Sequence, residues 1–417
     1  MFGTPAPHEV IQTVLDNVVL AVFFAVYAGM MLGKIPGLAL DRTGVALLGA
    51  IILVATGRVT LSGAWGAIDV PTIALLLGLM VVSAQLRLGG FYTMVTRRLS
   101  AARLSPDALL AVVIGVVGLL SAVLANDIVC LAMAPVLLEG CARRGLNPRP
   151  YLLALACAAN VGSAATLIGN PQNMLIGQML KLSFAGYLLD AGVPVVAGLG
   201  AVWVIIRLLT AGRWKCETPV PSVKAPIFNP WQMSKGLIVL GAVVLLFLVT
   251  GWPRDVLALA AAGVLMTSRH MASREMLGLV DWQLLVLFTG LFVVNHALAD
   301  SGALDAATGF LAGHGVPLRH PAWLFAATVI LSNLVSNVPA VMLLLPYADS
   351  TVGGPVLALA STLAGNLIIV GSIANIIVVD QAARLGLRIS WREHARVGVP
   401  VTLVTLALAA LWLWIRA

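Results

Sequence analysis

The sequence predicts an all-α polytopic membrane protein made of two inverted five-span repeats, each with a re-entrant hairpin and a broken helix. Three observations predict it. Hydrophobic residues make up 60% of the 417-residue chain and charged residues 10%, with a mean hydropathy of +1.01. A globular core does not need that much apolar sequence, whereas a bundle of membrane spans does. Residues 69–90 align without gaps on 281–302, with eight identities in 22 positions. Polar breaks then recur at matching places in both halves, which is the best sequence pointer to a transporter's binding site.

Taken in order, spans are expected near 11–33, 43–57, 70–87, 151–180 and 191–209, then near 236–250, 254–268, 281–299, 355–380 and 397–415. The N-terminus lacks a basic region followed by a cleavage site, so 11–33 is read as a first span and not as a signal peptide. The apolar runs 107–138 and 321–347 need separate treatment. Residues 108–138 carry no charge except Asp127, so the run is too long for one crossing. A polar break at 126–127 makes it too short for two crossings and a loop, so a re-entrant hairpin is expected. Such backbone survives at membrane depth only when buried in protein or lining a cavity. The same reading applies to 321–347. The N-terminal repeat is placed at 1–209, a polar cytoplasmic linker at 210–235 and the C-terminal repeat at 236–417. Five crossings per repeat, an odd number, invert one half relative to the other.

The charge distribution orients this arrangement. Of the 25 Lys and Arg residues, 20 fall on one face of the expected topology. The positive-inside rule makes that face cytoplasmic and puts both termini outside. The net charge of +8 is thus an orientation signal, and no nucleic-acid partner is expected. The lipid bilayer is the implied surroundings, a bacterial-type inner (plasma) membrane the expected location. The cysteines Cys130, Cys141, Cys157 and Cys216 show no metal-binding spacing and are read as small buried hydrophobes.

The breaks carry the chemistry. Asn126 and Asn337 each lie in a hydrocarbon-length apolar run, nine residues before Pro135 and Pro346. Downstream of each is a glycine-broken stretch, Gly169-Asn170-Pro171-Gln172-Asn173 and Gly371-Ser372-Ile373-Ala374-Asn375. A helix broken at mid-membrane exposes N–H groups and carbonyls whose partial charges bind ions without a full buried charge. Pro171 has no N–H and disfavours a helical Asn170, so the first break is encoded locally. Ile373 stands where the second break would have its proline, which weakens the local signal there. Eight of the twelve Asn (126, 160, 170, 173, 333, 337, 366, 375) fall in these four segments. They either bind a desolvated polar ligand or hydrogen-bond membrane helices together. Asp127 is a carboxylate at mid-membrane, costly and therefore a functional candidate. It serves a proton or sodium site, caps the second hairpin arm, or does both. Asp69 and Asp281, at equivalent repeat positions, are expected as helix N-caps. Ordinary polar contacts are expected for His296, and a surface ion pair for Asp380.

The pattern AND in a hairpin, GSAATLIGNPQN (162–173), SNVPAVMLLLP (336–346) and GSIAN (371–375) resembles the ion transporter superfamily. That group includes ArsB-type arsenite/antimonite permeases, NhaD-type sodium/proton antiporters and divalent-anion symporters. The resemblance covers nearly the whole chain. It implies two inverted repeats with re-entrant hairpins, a homodimer and elevator-type movement. By resemblance, Asn126, Asn337, Ser336, Asn170 and Ser372 would meet substrate. Asp127, Thr166, Gly169, Asn173, Gly371 and Asn375 would serve ion or proton coupling, with a sodium ion near Asn126, Asp127 and Asn173 as a further expectation. The symporters carry Ser-Asn-Thr at each hairpin tip, where this chain has Ala125-Asn126-Asp127 and Ser336-Asn337-Val338. An ionised Asp127 would repel a dicarboxylate but tolerate neutral arsenous acid or bind a cation. Three functions therefore stand: proton-coupled arsenite/antimonite efflux, transport of another small inorganic or carboxylate anion, and sodium/proton exchange. No P-loop appears, no cofactor or resident metal is expected, and Asp127 lacks the acidic partner an intramembrane protease needs. The chain is expected not to be an enzyme.

Overall fold

The computed structural model describes residues 7–33, 37–216, 219–221, 228–269 and 271–416, with side chains described from Asn17 onward. Lys34 and Lys224, two of the basic residues counted above, lie outside the described residues, as does part of the expected linker. Among the described residues the chain forms twenty α-helices, two short 3-10 turns and no β-sheet.

The first ten helices are α1 (Pro7–Leu32), α2 (Arg42–Ala55), α3 (Leu61–Ala67), α4 (Val70–Leu88), α5 (Phe91–Ala101), α6 (Pro106–Val123), α7 (Asn126–Arg143), α8 (Pro148–Ser163), α9 (Pro171–Met179) and α10 (Phe184–Thr210). The second ten are α11 (Pro230–Val249), α12 (Arg254–Met266), α13 (Ser273–Leu277), α14 (Trp282–Asp300), α15 (Ala303–Gly313), α16 (Pro321–Val335), α17 (Asn337–Leu344), α18 (Gly353–Ala364), α19 (Ile373–Arg384) and α20 (Trp391–Arg416). The two series run in the same order. Helices α4 and α14 both have 19 residues, and α5 and α15 both have 11. Each 11-residue helix follows a glycine in the left-handed region, Gly90 (φ 75°) and Gly302 (φ 70°).

Local chemistry starts these helices as expected. Asp69 Oδ1 accepts the Thr72 N–H at 2.7 Å and Asp281 Oδ1 accepts the Leu284 N–H at 3.0 Å, so both are N-caps. The packing then crosses between the two series. Helix α4 packs on α12, and α14, its counterpart, packs on α2. At the first contact a Cβ on Gly78 would lie 2.5 Å from the Ala258 carbonyl carbon. At the second, a Cβ on Gly290 would lie 2.7 Å from that of Ala46. Gly290 and Ala258 are each 212 residues beyond Gly78 and Ala46. One close backbone contact is therefore built twice, with the partners exchanged, as a pseudo-two-fold relation requires. Small residues permit such contact, the usual device of membrane helix packing.

Among the described residues, six helices are long and apolar enough to cross a membrane: α4, α6, α10, α11, α14 and α20. The expected spans 151–180 and 355–380 each divide into two helices, which takes them out of that set. Spans 43–57 and 254–268 form α2 and α12, of 14 and 13 residues. At 1.5 Å per residue these reach only about 20 Å, short of a hydrocarbon core of about 30 Å. Both short helices lie against full-length α14 and α4.

The polar breaks sit at the centre of the molecule. Helix α8 is buried except at Arg149, and α18 is buried at every position. Helices α6, α7 and α10 cover α8, while α16, α17 and α20 cover α18. The thiols of Cys130, Cys141 and Cys157 are buried here as apolar filling.

Candidate functional site: two broken helices and two hairpin tips

Each hairpin turns over in two residues or fewer. Helix α6 ends at Val123, Leu124 is extended, and α7 begins at Asn126 after Ala125. Helix α16 ends at Val335 and α17 begins at Asn337, leaving Ser336 alone at the tip. Ser336 has φ 77° and ψ 161°, a region that glycine normally occupies. Holding a serine there costs on the order of 1–3 kcal/mol, and such strain clusters at functional sites. Neither α7 nor α17 receives a side-chain cap at its N-terminus. Positive helix ends are thus left facing the interior at both tips.

The breaks between α8 and α9, and between α18 and α19, are closed by side chains. Asn170 is extended, and its Oδ1 accepts the Asn173 N–H at 2.9 Å, capping α9. At the second break no proline is needed: Ser372 is extended and its Oγ accepts the Ala374 N–H at 3.2 Å. The other end of each break is closed in parallel. Asn173 Nδ2 donates to the carbonyls of Thr166 (2.9 Å) and Ser163 (3.5 Å). Asn375 Nδ2 donates to those of Gly365 (2.8 Å) and Ile368 (3.2 Å). Both asparagines satisfy carbonyls that the broken helices leave without partners.

Hydrogen bonds then tie each break to the other half. Asn160 Nδ2 donates to Asn375 Oδ1 (3.1 Å) and Asn366 Oδ1 (2.8 Å), and its Oδ1 accepts from Ser372 Oγ (2.8 Å) and Asn126 Nδ2 (3.3 Å). Thr362, 202 residues beyond Asn160, makes the mirror set. It donates to Asn173 Oδ1 (3.3 Å) and accepts from Asn170 Nδ2 (3.2 Å) and Gln172 Nε2 (3.1 Å). Tyr187 holds Asn173 from outside the break, accepting its Nδ2 at 3.2 Å and donating to the Ala164 carbonyl at 2.8 Å.

The hairpins attach to these breaks. The Asn126 N–H donates to the Gly169 carbonyl at 3.2 Å, and Thr166 Oγ1 donates to the Ala122 carbonyl. A Cβ on Gly169 would lie 2.3 Å from the Ser163 carbonyl oxygen and 2.7 Å from that of Ser121, so only glycine fits. With its amide oriented to satisfy both atoms, Asn337 Nδ2 donates to the carbonyls of Ser361 (3.1 Å) and Gly371 (3.3 Å).

Asn126, Asn170, Ser372, Thr166, Gly169, Asn173 and Asn375 are joined in one network, and Asn337 meets it at Gly371. Asp127 and Ser336 stand apart from it. Asp127 is partly buried in the first turn of α7, with no hydrogen bond among the described residues. No hydrogen bond joins the two tips directly among the described residues; Asn160 and Ser372 lie between. Asn126 Oδ1, half of an otherwise bonded amide, is buried without a partner, which leaves an acceptor open at the first tip. Among the described residues, no group of three His, Cys, Asp or Glu is placed to hold a metal ion. Nothing local in the sequence marks Thr362 or Tyr187, whereas Gln172 lies within the glycine-broken stretch 169–173. A shift of 202 residues from Asn160 is the signal that points to Thr362. His296 pairs with Asp300 at 3.3 Å and Asp380 with Arg384 at 2.7 Å, the ordinary contacts expected of both.

Comparison with known proteins places this geometry. The chain is 30% identical to uncharacterised transporters of Mycobacterium tuberculosis and Mycobacterium bovis, covering 96% of this chain and 99% of theirs. It is 28% identical to a silicon efflux transporter of Oryza sativa subsp. japonica, over 95% of this chain and 96% of that one. The crystal structure of the Alcanivorax borkumensis YdaH transporter, described as having an unusual topology, matches with a TM-score of 0.57. That match covers 97% of this chain and 98% of the other at 16% identity, a likeness of fold alone. A family model described as the CitMHS citrate transporter matches residues 27–356. The chain is therefore a multi-pass membrane transporter and belongs to the CitMHS family.

Proposed function

We propose that this protein is a secondary transporter that exports a small neutral metalloid oxyacid, arsenous acid or its antimony analogue foremost, in exchange for protons. The observation that carries the reading is the chemistry of the buried site. Its ligating groups are the amides and hydroxyls of Asn126, Asn160, Asn170, Asn337, Asn375, Thr362 and Ser372, all buried. No Lys or Arg is among the buried polar residues described. A di- or trivalent carboxylate in such a place would lack the cationic partners that normally compensate it. A neutral, polyhydroxylated acid exchanges hydrogen bonds with amides and hydroxyls at no charge penalty. The rice relative's printed role supports the same class of cargo, since silicon in neutral water is undissociated silicic acid.

In this reading Asn126, Ser336, Asn337, Asn170 and Ser372 contact the substrate. Asp127 takes up and releases the coupling proton, and Thr166, Gly169, Asn173, Gly371 and Asn375 shape the polar breaks beside it. The reading places the protein in the plasma membrane as a homodimer with both termini outside. The helices around the breaks move as a body in elevator fashion. A second reading has its own support. The family model's description names citrate, and the uncapped N-termini of α7 and α17 suit a carboxylate accompanied by sodium.

Everted vesicles containing the protein separate these readings. The expected result is arsenite accumulation that requires an inward-acidic pH gradient and is absent from empty membranes. Sodium-driven citrate uptake with no metalloid accumulation, in vesicles holding folded protein, would replace this reading by the second.

A further inference from the structure

The two halves are equivalent in sequence order but not in state. Helix α4 packs against α9. Their counterparts α14 and α19 are parted by a cavity of about 390 Å³. Its walls include Arg42, Asp281 and Leu287, and Val370, Ile373 and Ile376 beside the second break. The cavity opens at the ends of α1, α2 and α14 on the face predicted to be cytoplasmic. On the opposite face α4 meets α9, and Met174, the counterpart of Ile376, is buried.

One pair of residues tracks this asymmetry. Arg42 and Arg254 are the first residues of α2 and α12 and stand 212 positions apart, the repeat offset of that region. Both are partly buried. Arg254 Nη2 donates to the Gly177 carbonyl at 2.6 Å, fastening the start of α12 to the end of α9. Among the described residues Arg42 makes no such contact. Its Nε donates to the Met30 carbonyl at 3.1 Å in its own half, and its guanidinium lines the cavity. The residue 202 positions beyond Gly177 is Val379, in the last turns of α19 and next to Asp380.

We infer that Arg42 and Arg254 are alternating latches of the transport cycle. Arg254 is engaged in the present state and holds the α9 side shut. When the cavity beside α19 closes, Arg42 swings from Met30 to the carbonyls at the end of α19, and Arg254 releases Gly177. A guanidinium suits the task because it remains charged and donates several hydrogen bonds to helix-end carbonyls, where the dipole favours a cation. The inference rests on alternating access within the proposed function, and it is independent of which substrate is carried.

The test uses the full chain in proteoliposomes, in a Cys216→Ser background, with a single reporter: Ile376→Cys at the cavity or Met174→Cys at its counterpart, which is 2% exposed. A membrane-impermeant maleimide reads access from each side without substrate. Ile376→Cys should label faster than Met174→Cys in the parent. Arg254→Ala should raise Met174→Cys labelling about tenfold and lower that of Ile376→Cys; Arg42→Ala should do the reverse. An unchanged ratio in both variants, or a shift in the same direction, would overturn the inference. Reversed orientation in the bilayer exchanges the labelled faces but keeps the reciprocity, and so supports it. Should either alanine variant misfold, cross-linking decides. Arg254→Cys with Gly177→Cys should cross-link at rest, and Arg42→Cys with Val379→Cys only in the other state. Resting cross-links of equal yield in both pairs would overturn the inference.

Discussion

Asn160 donates through its Nδ2 and accepts through its Oδ1, so one small side chain makes four hydrogen bonds. Its two ends reach Asn375 and Asn366 on one side and Ser372 and Asn126 on the other. Removing it leaves several buried polar groups without partners, at about 1–3 kcal/mol for each such group. Asn160→Ala should therefore lower transport at least tenfold and also lower the melting temperature, as read by flux and by thermal unfolding in detergent. Asp127 differs in kind because its carboxylate engages none of these groups. Asp127→Asn keeps the shape and loses the charge, so pH-driven accumulation should vanish while the melting temperature stays within a few degrees. Wild-type accumulation with unchanged pH dependence in that variant would remove Asp127 from the coupling role. These residues were legible because a carboxylate or amide inside a hydrocarbon-length run is expensive and stands out. Thr362 and Tyr187 were not legible. A single hydroxyl in an apolar run is cheap and common, and only the repeat offset or the fold marks these two.

At the scale of the element, the second break teaches most. Ile373 replaces the helix-disfavouring proline found at 171, yet the helix breaks, because Ser372 caps α19 and Asn375 satisfies the carbonyls behind it. Capping by a side chain depends on where the chain turns, so sequence gave a weaker signal there than a proline does. The second hairpin tip carries a different device. Ser336→Gly should relieve the strain of a positive φ and raise the melting temperature, while losing the tip hydroxyl and weakening substrate affinity several-fold. Opposite movement of stability and affinity is the signature; a fall in both would show that Ser336 is not strained in the membrane. The paired close contacts give a third expectation. Gly78→Val and Gly290→Val should each destabilise the protein by several degrees, since the Cβ would meet Ala258 or Ala46 backbone within 2.7 Å. Tolerance of either by fluorescence-detected size exclusion would contradict the exchanged packing. The short helices α2 and α12 were read from sequence at nearly their true positions. Hydropathy measures apolar content and not whether α14 and α4 shorten the distance to be spanned.

Across the whole molecule, duplication explains why so much of the fold could be read from one sequence. Alignment of 69–90 with 281–302 gave the order of elements, and the charge count gave an expected orientation. Hydrogen bonding between the halves could not be read, because Asn160 and Asn375 lie 215 residues apart and nothing local links them. The proposed coupling belongs to this scale, since the polar network and the two tips draw on both repeats. The most direct measurement is substrate-evoked proton movement in proteoliposomes carrying an internal pH reporter, with no gradient imposed but that of the metalloid. The account predicts that an arsenous or silicic acid gradient drives protons in the opposite direction and that sodium alone does nothing. Proton movement evoked by sodium without metalloid, or metalloid flux with no proton signal, would contradict it.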